Sequence, residues 1–195
     1  MWTKSYQIQI KFAALYGRSN IIREVPYFFN FIRNVNINMK VLSFDQATVK
    51  TGIAIHENDK LVVYDLINLE KYKVDMPERV NAMIKELCNT IHTYNPDYVV
   101  FEDIALQSNP STLILLARLQ GAIIGYCISH NIPYTILKPP TWRKALGFNQ
   151  GKEIKRPQLK KQAVEYVKGK FDLSLKEDIC EAVCIGEAFL KINKK

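Results

Sequence analysis

Apolar and polar positions along this chain repeat with two periods, and the change from one to the other marks its elements. Three short runs, 41–45, 51–56 and 61–69, are rich in Val, Ile and Leu and are separated by turn-like residues, notably HENDK at 56–60. They predict consecutive antiparallel strands. Val80, Met83, Ile84, Leu87 and Ile91 then recur at helical spacing and stop near Asn95-Pro96, which predicts an amphipathic helix. DYVVFED at 97–103 reads as a short buried strand. Asn109 is placed to cap, and Pro110 to open, a helix over 110–130 that is apolar nearly all round, with Gly121, Ala122 and Gly125 as small spots. Such a helix is central or shared between subunits. A strand at 133–137, a helix at about 157–169 and a closing helix in LKEDICEAVCIGEAFLKI complete the order βββ-α-β-α-β-α-α. The pattern implies an α/β fold: a mixed five-stranded sheet, three antiparallel strands first, flanked by helices.

Residues 1–38 read differently. VPYFFNFIRNVNIN is aromatic and Asn-rich without clean periodicity and stops just before Met39, so 1–38 is expected to be a non-catalytic N-terminal extension and 39–195 the functional domain. At 195 residues, 48% of them apolar, the chain has material for one core. LILLARLQGAIIGYCI is interrupted by Arg118 and Gln120, which disfavours a membrane span, and the first residues lack the apolar core of a secretory signal. The cysteines at 88, 127, 180 and 184 form no CxxC pair and have no histidine partner at zinc spacing, so reduced thiols in a cytoplasm are expected. The histidines at 56, 92 and 130 sit at element ends and read as surface residues.

The net charge of +8 makes polyanions the first partner class to consider. Between Lys138 and Lys170 ten basic residues face two acidic ones, so this segment matches the whole excess. A solvated helix face explains most such runs. Here Pro139, Pro140, Trp142 and Phe148 interleave with the charges and could stack or wedge against bases, which favours phosphate contact through Lys138, Arg143, Lys144, Lys152, Lys155 and Arg156.

Acidic residues stand at the ends of core elements. Asp45 ends the first strand and Glu102 the fourth. On the last helix Asp178 and Glu181 fall on the stripe that continues through Ile185 and Ala188 toward the sheet. Singly each has an ordinary role: a turn cap, a strand-end residue in water, an offset to a helix dipole. Together, four carboxylates around one cleft repel unless cations sit between them, and hard divalent ions favour such oxygens. Two ions about 4 Å apart can activate a water and stabilise the leaving oxygen of a phosphodiester. With the basic segment, this reads as a nuclease.

SFDQATVKTGIAI at 43–55, VVFED at 99–103 and DICEAVCIG at 178–186 resemble, in order and spacing, the three acidic motifs of the RuvC-type Holliday junction resolvases, in the style of their smaller phage-encoded members. The resemblance implies an RNase H-like fold, a homodimer formed through helix 110–130, and paired nicking of four-way junctions and other branched DNA that leaves 5′-phosphates. It makes Asp45, Glu102, Asp178 and Glu181 the catalytic ligands of two Mg²⁺ ions, or Mn²⁺, and places the protein in a cytoplasm, that of a bacterial host if phage-encoded. The chain departs from the family at Glu181, where bacterial members usually carry aspartate, and at Gln46-Ala47, where Pro-Gly is common. Lys144, Lys152 and Lys155 are the candidates for a catalytic lysine. Two other readings compete: an RNase H-like nuclease that processes ribosomal RNA precursors, and a non-catalytic junction-binding protein. The first is expected to lack the long apolar helix, and the second to lack one of the four acids.

Overall fold

The computed structural model describes residues 39–72, 75–104 and 109–194; the expected extension, 1–38, lies outside them. Its strands are β1 (Lys40–Asp45), β2 (Lys50–Glu57), β3 (Lys60–Asn68), β4 (Tyr98–Glu102) and β5 (Tyr134–Leu137). Its helices are α1 (Met76–Tyr94), α2 (Pro110–Ser129), α3 (Pro139–Leu146), α4 (Arg156–Phe171) and α5 (Glu177–Asn193). The strands form one mixed sheet in the order β3-β2-β1-β4-β5. The first three pair antiparallel, and β1–β4 and β4–β5 pair parallel. Asn58 and Asp59 turn the β2–β3 hairpin with φ of 51° and 65°, the left-handed geometry that suits a tight hairpin's twist.

Alternation along the strands separates two layers. Leu42, Phe44, Ile53, Ile55, Val99 and Phe101 cluster with Met83, Leu87 and Ile91 of α1 and Leu119, Ile123 and Cys127 of α2. The intervening residues meet α5. Ser43 Oγ donates to the Ala182 carbonyl at 2.8 Å, and the Tyr98 ring packs 4.7 Å from Phe189. Every residue of α5 from Ile179 to Leu190 is buried, because sheet, α3 and α4 together surround it. A helix so enclosed should be apolar all round, yet it carries Glu181 and Glu187.

Two expectations are corrected. The eight-residue α3 is an addition to the expected order βββ-α-β-α-β-α-α. In the structure the two prolines occupy its first turn, where a missing N–H costs nothing. His56 is not a surface residue: it is fully buried, whereas His92 and His130 are exposed. Its ring fills the space left by Gly186, where an added Cβ would lie 2.6 Å from the imidazole.

Candidate metal centre

The backbone brings the acids together by simple rules. Asp45 has the parity of Ser43, and Glu102 that of Tyr98, so both are directed to the α5 side of the sheet. β1 and β4 pair in parallel register, Phe44 opposite Phe101, so the two acids end neighbouring strands. Gly52 pairs with Asp45 across β1 and β2. A Cβ at Gly52 would stand 1.9 Å from the Asp178 carbonyl oxygen. Only glycine lets the start of α5 approach this closely. Asp178 and Glu181, three residues apart, then share one helical face. Thr51 is buried and exchanges hydrogen bonds with the Ala47 backbone at 2.9 and 3.1 Å, shaping the β1–β2 turn.

One carboxylate oxygen each from Asp45, Asp178 and Glu181 lies within 4.8 Å of the others. Glu102 adjoins this trio through a shared cation. Arg143 Nη2 is 3.6 Å from Glu102 Oε1 and 3.8 Å from Glu181 Oε1. The Trp142 indole N–H donates to Glu102 Oε1 at 2.7 Å. Lys160 Nζ stands 3.4 Å from oxygens of Glu177, Asp178 and Glu181.

Two cations among these acids leave the cluster with excess negative charge. Burial, then the charges of Glu181, Glu102 and Asp178, push the Asp45 carboxyl well above the usual range. Burial raises Glu102 too, against the lowering effect of Trp142 and Arg143. For Lys160 burial favours the neutral amine, but Glu181 and Asp178 outweigh it and its pKa rises. Asp45 and Glu102 thus resist ionisation, and a packed cluster of hard oxygen donors without thiolate or imidazole fits a hard divalent cation.

Lys138, Lys144, Lys152, Lys155 and Arg156 are exposed. Arg143 turns inward, with 15% of its side chain exposed. Trp142 is completely buried and is therefore not a base-stacking platform. Phe148 packs edge-on against it at 5.6 Å and against Tyr166 at 5.9 Å. Lys160 was not singled out from sequence, although a signal existed. It lies three and seven residues before Ala163 and Val167, the buried stripe of α4, and so shares their face.

A second buried acid lies further along α5. Glu187 Oε2 accepts from Lys170 and, at 3.5 Å, from the Tyr166 hydroxyl. His56 Nε2 is 3.4 Å from Glu187 Oε1, an ion-pair distance rather than a good hydrogen bond. Burial acts to raise Glu187, but His56 and Lys170 outweigh it and hold the carboxyl below its ordinary value.

On the opposite layer, α2 buries Leu119, Gln120, Ile123 and Cys127 and leaves Ile114, Gly121, Gly125 and Ile128 exposed. Its length and mean hydropathy of 1.5 reach the scale of a membrane-crossing helix, more apolar than its interruptions by Arg118 and Gln120 suggested.

Residues 41–183 match the family model of crossover junction endodeoxyribonuclease RuvC. The enzyme of that name from Syntrophomonas wolfei is 27% identical over 151 residues, covering 75% of this chain and 86% of the relative. That from Dictyoglomus thermophilum is 27% identical over 153 residues, covering 75% and 93%. Among solved structures, Thermus thermophilus RuvC in complex with Holliday junction substrate superposes with a TM-score of 0.62 at 14% identity, over 78% of this chain and 93% of that one. The yeast mitochondrial Holliday junction resolvase Ydc2 gives 0.52 at 17% identity, over 86% and 85%. These two likenesses show a shared fold: the mixed sheet flanked by helices is the RNase H-like architecture expected from the motifs.

Proposed function

The chain belongs to the RuvC family of crossover junction endodeoxyribonucleases, and from that premise we propose that Asp45, Glu102, Asp178 and Glu181 form the centre that hydrolyses DNA at four-way junctions. The observation that carries this is the convergence of Asp45, Asp178 and Glu181 within 4.8 Å on the α5 side of the sheet. It is supported by the fit of three ordered acidic motifs to a family of metal-dependent nucleases. These acids, with Glu102, would hold divalent ions, Mg²⁺ or Mn²⁺. When bound, two such ions supply Lewis-acid stabilisation of the phosphoryl charge and a water of lowered pKa.

The protein's own residues do the rest. Gly52 lets Asp178 reach Asp45. Arg143 and Lys160 place positive charge between acids that would otherwise repel a phosphate. The exposed Lys138, Lys144, Lys152, Lys155 and Arg156 neutralise backbone phosphates and position the junction without reading its sequence. Lys144, Lys152 and Lys155 remain the candidates for a catalytic lysine, all three exposed to solvent on the α3–α4 segment.

The substrate is branched DNA, and the products are paired nicks with 5′-phosphates. Two nicks on one junction call for two centres, which a homodimer supplies. The exposed stripe Ile114, Gly121, Gly125 and Ile128 on α2 supports an interface there, since small residues let helices approach closely. Residues 39–195 are the nuclease domain and 1–38 a non-catalytic extension; the family match begins at residue 41. The site of action is a cytoplasm that contains DNA.

The test is a nicking assay on a synthetic four-way junction, a matched linear duplex and a structured RNA, each with and without Mg²⁺. Metal-dependent paired cuts confined to the junction support the assignment. Cleavage of RNA alone would move it to ribosomal RNA processing, and tight junction binding without cleavage under Mg²⁺ or Mn²⁺ would reduce it to a binding protein.

A further inference from the structure

We propose that Trp142 is a positioning residue for the nuclease centre: its indole N–H, with Arg143 held on its ring, fixes Glu102 through one oxygen and leaves the other to the cation. This rests on the metal-centre reading above.

The short helix that carries Trp142 is set against Glu102 by topology. Glu102 pairs with Leu137 in the parallel β4–β5 register, and the Asp103 amide donates to the Leu137 carbonyl at 2.8 Å. β5 ends at that residue and α3 begins two residues later. The prolines at its start fix φ in the helical range, so Trp142, one turn in, is directed back toward Glu102. At the other end Gly147 adopts φ of 82°. The amides of Gly147 and Phe148 bond to the Lys144 and Arg143 carbonyls at 3.1 and 2.9 Å, a left-handed cap that folds Phe148 onto Trp142. The indole is thereby clamped on a rigid platform.

A fully buried indole N–H needs an acceptor, and here the acceptor is a carboxylate proposed to bind metal. The Arg143 guanidinium lies 4.8 Å from the Trp142 ring centroid, within cation–π range. Its Nη2 approaches the same Oε1 that accepts from the indole. The indole hydrogen bond and the guanidinium charge meet at that single oxygen, which orients the carboxylate plane and would leave Oε2 to a cation. Donors that orient a metal-binding carboxylate typically contribute about 10- to 100-fold in metal affinity or activity. Phenylalanine keeps most of the ring volume and removes the donor, so Trp142→Phe isolates this effect.

The experiment is calorimetric titration of the full chain with Mn²⁺ in four forms: wild type, Trp142→Phe, Glu102→Gln and the double variant. Trp142→Phe is expected to weaken binding by about tenfold or more, and to add little when Glu102 is already Gln, because the indole acts through that carboxylate. Unchanged affinity in Trp142→Phe, or an equal loss in both backgrounds, would overturn the proposal as a packing effect. Failure of the wild type to bind Mn²⁺ would overturn both this proposal and the metal-centre reading. A second measurement avoids any folding defect in Trp142→Phe. In a Trp2→Phe background Trp142 is the sole tryptophan of the two in the chain. Mg²⁺ is expected to shift its fluorescence emission, and Glu102→Gln to abolish the shift. A silent Trp142 would also overturn the proposal.

Discussion

Helix α5 carries two acidic regions about two turns apart, each built around a buried glutamate, Glu181 and Glu187, and they are electrostatic opposites. At its N-terminal end Asp178 and Glu181 meet Asp45 and Glu102, and Lys160 and Arg143 do not balance the four charges. Burial and like charge push Asp45 up. Further along, Glu187 meets His56, Lys170 and Tyr166, and its carboxyl is held below the ordinary value. A buried acid with matched partners is a structural ion pair, whereas a cluster with excess charge calls for a cation. Burial alone would not have told them apart, since Glu181 and Glu187 are 7% and 6% exposed.

The largest expected effect comes from removing one carboxylate of the first region. Asp45→Asn should lower the nicking rate by on the order of 10³-fold or more, several kcal/mol of barrier, and leave junction affinity equal or higher because it removes negative charge. Single-turnover cleavage and a binding titration on the same junction check it. Loss of both activities would indicate unfolding.

The matching change in the second region should act on stability. Glu187→Gln should cost about 2 kcal/mol, less than a fully buried pair because Lys170 is half exposed, and leave the nicking rate of the folded protein unchanged. The two regions also differ in pH slope. Glu187 has a lowered folded pKa, so its contribution is present above the ordinary carboxylate value of about 4.3 and is lost as pH falls through the folded one. Asp45 has a raised folded pKa, so its contribution is full below about 3.9 and is lost as pH rises through the folded one. Chemical denaturation across pH in EDTA should show Glu187→Gln flattening the acid limb and Asp45→Asn flattening the fall at higher pH.

A third change tests the apolar side of the molecule. A Cβ at Gly125 meets no atom within 4 Å, so Gly125→Arg should leave the protomer folded, with a helix-propensity gain of about 0.5–1 kcal/mol. If α2 joins two copies, dimer affinity should fall at least about tenfold, some 1.4 kcal/mol. Chemical denaturation measures the first and sedimentation the second, and an unchanged assembly state would remove α2 as the interface.

The smallest effect concerns Lys160, whose ammonium occupies oxygens that a cation would share. Lys160→Met should tighten divalent-ion binding several-fold, on the order of 1 kcal/mol, a direction that damage to the fold would not produce. Isothermal titration would detect it.

How much of this was legible beforehand depends on the kind of signal. Strand alternation and helix periodicity are local, and they put Asp45 and Glu102 at strand ends and Asp178 and Glu181 on the sheet-facing stripe of the last helix. The closeness of α5 to β2 at Gly52 has no local signal, because a glycine's role depends on what approaches it. α3 escaped because two adjacent prolines look the same in a turn and in a first helical turn. Among so many basic residues Trp142 suggests a surface that could stack on bases, whereas the fold makes it a buried donor. His56 was misplaced for a longer-range reason: its burial depends on Gly186 and Glu187, some 130 residues on, and no periodicity links them.

The most direct test of the central claim is a calorimetric Mg²⁺ titration of wild type, Asp45→Asn and Glu187→Gln side by side. The wild type and Glu187→Gln should bind the ion alike, and Asp45→Asn should lose that binding. Equal binding by Asp45→Asn, or loss confined to Glu187→Gln, would contradict the assignment of the metal centre to the N-terminal end of α5.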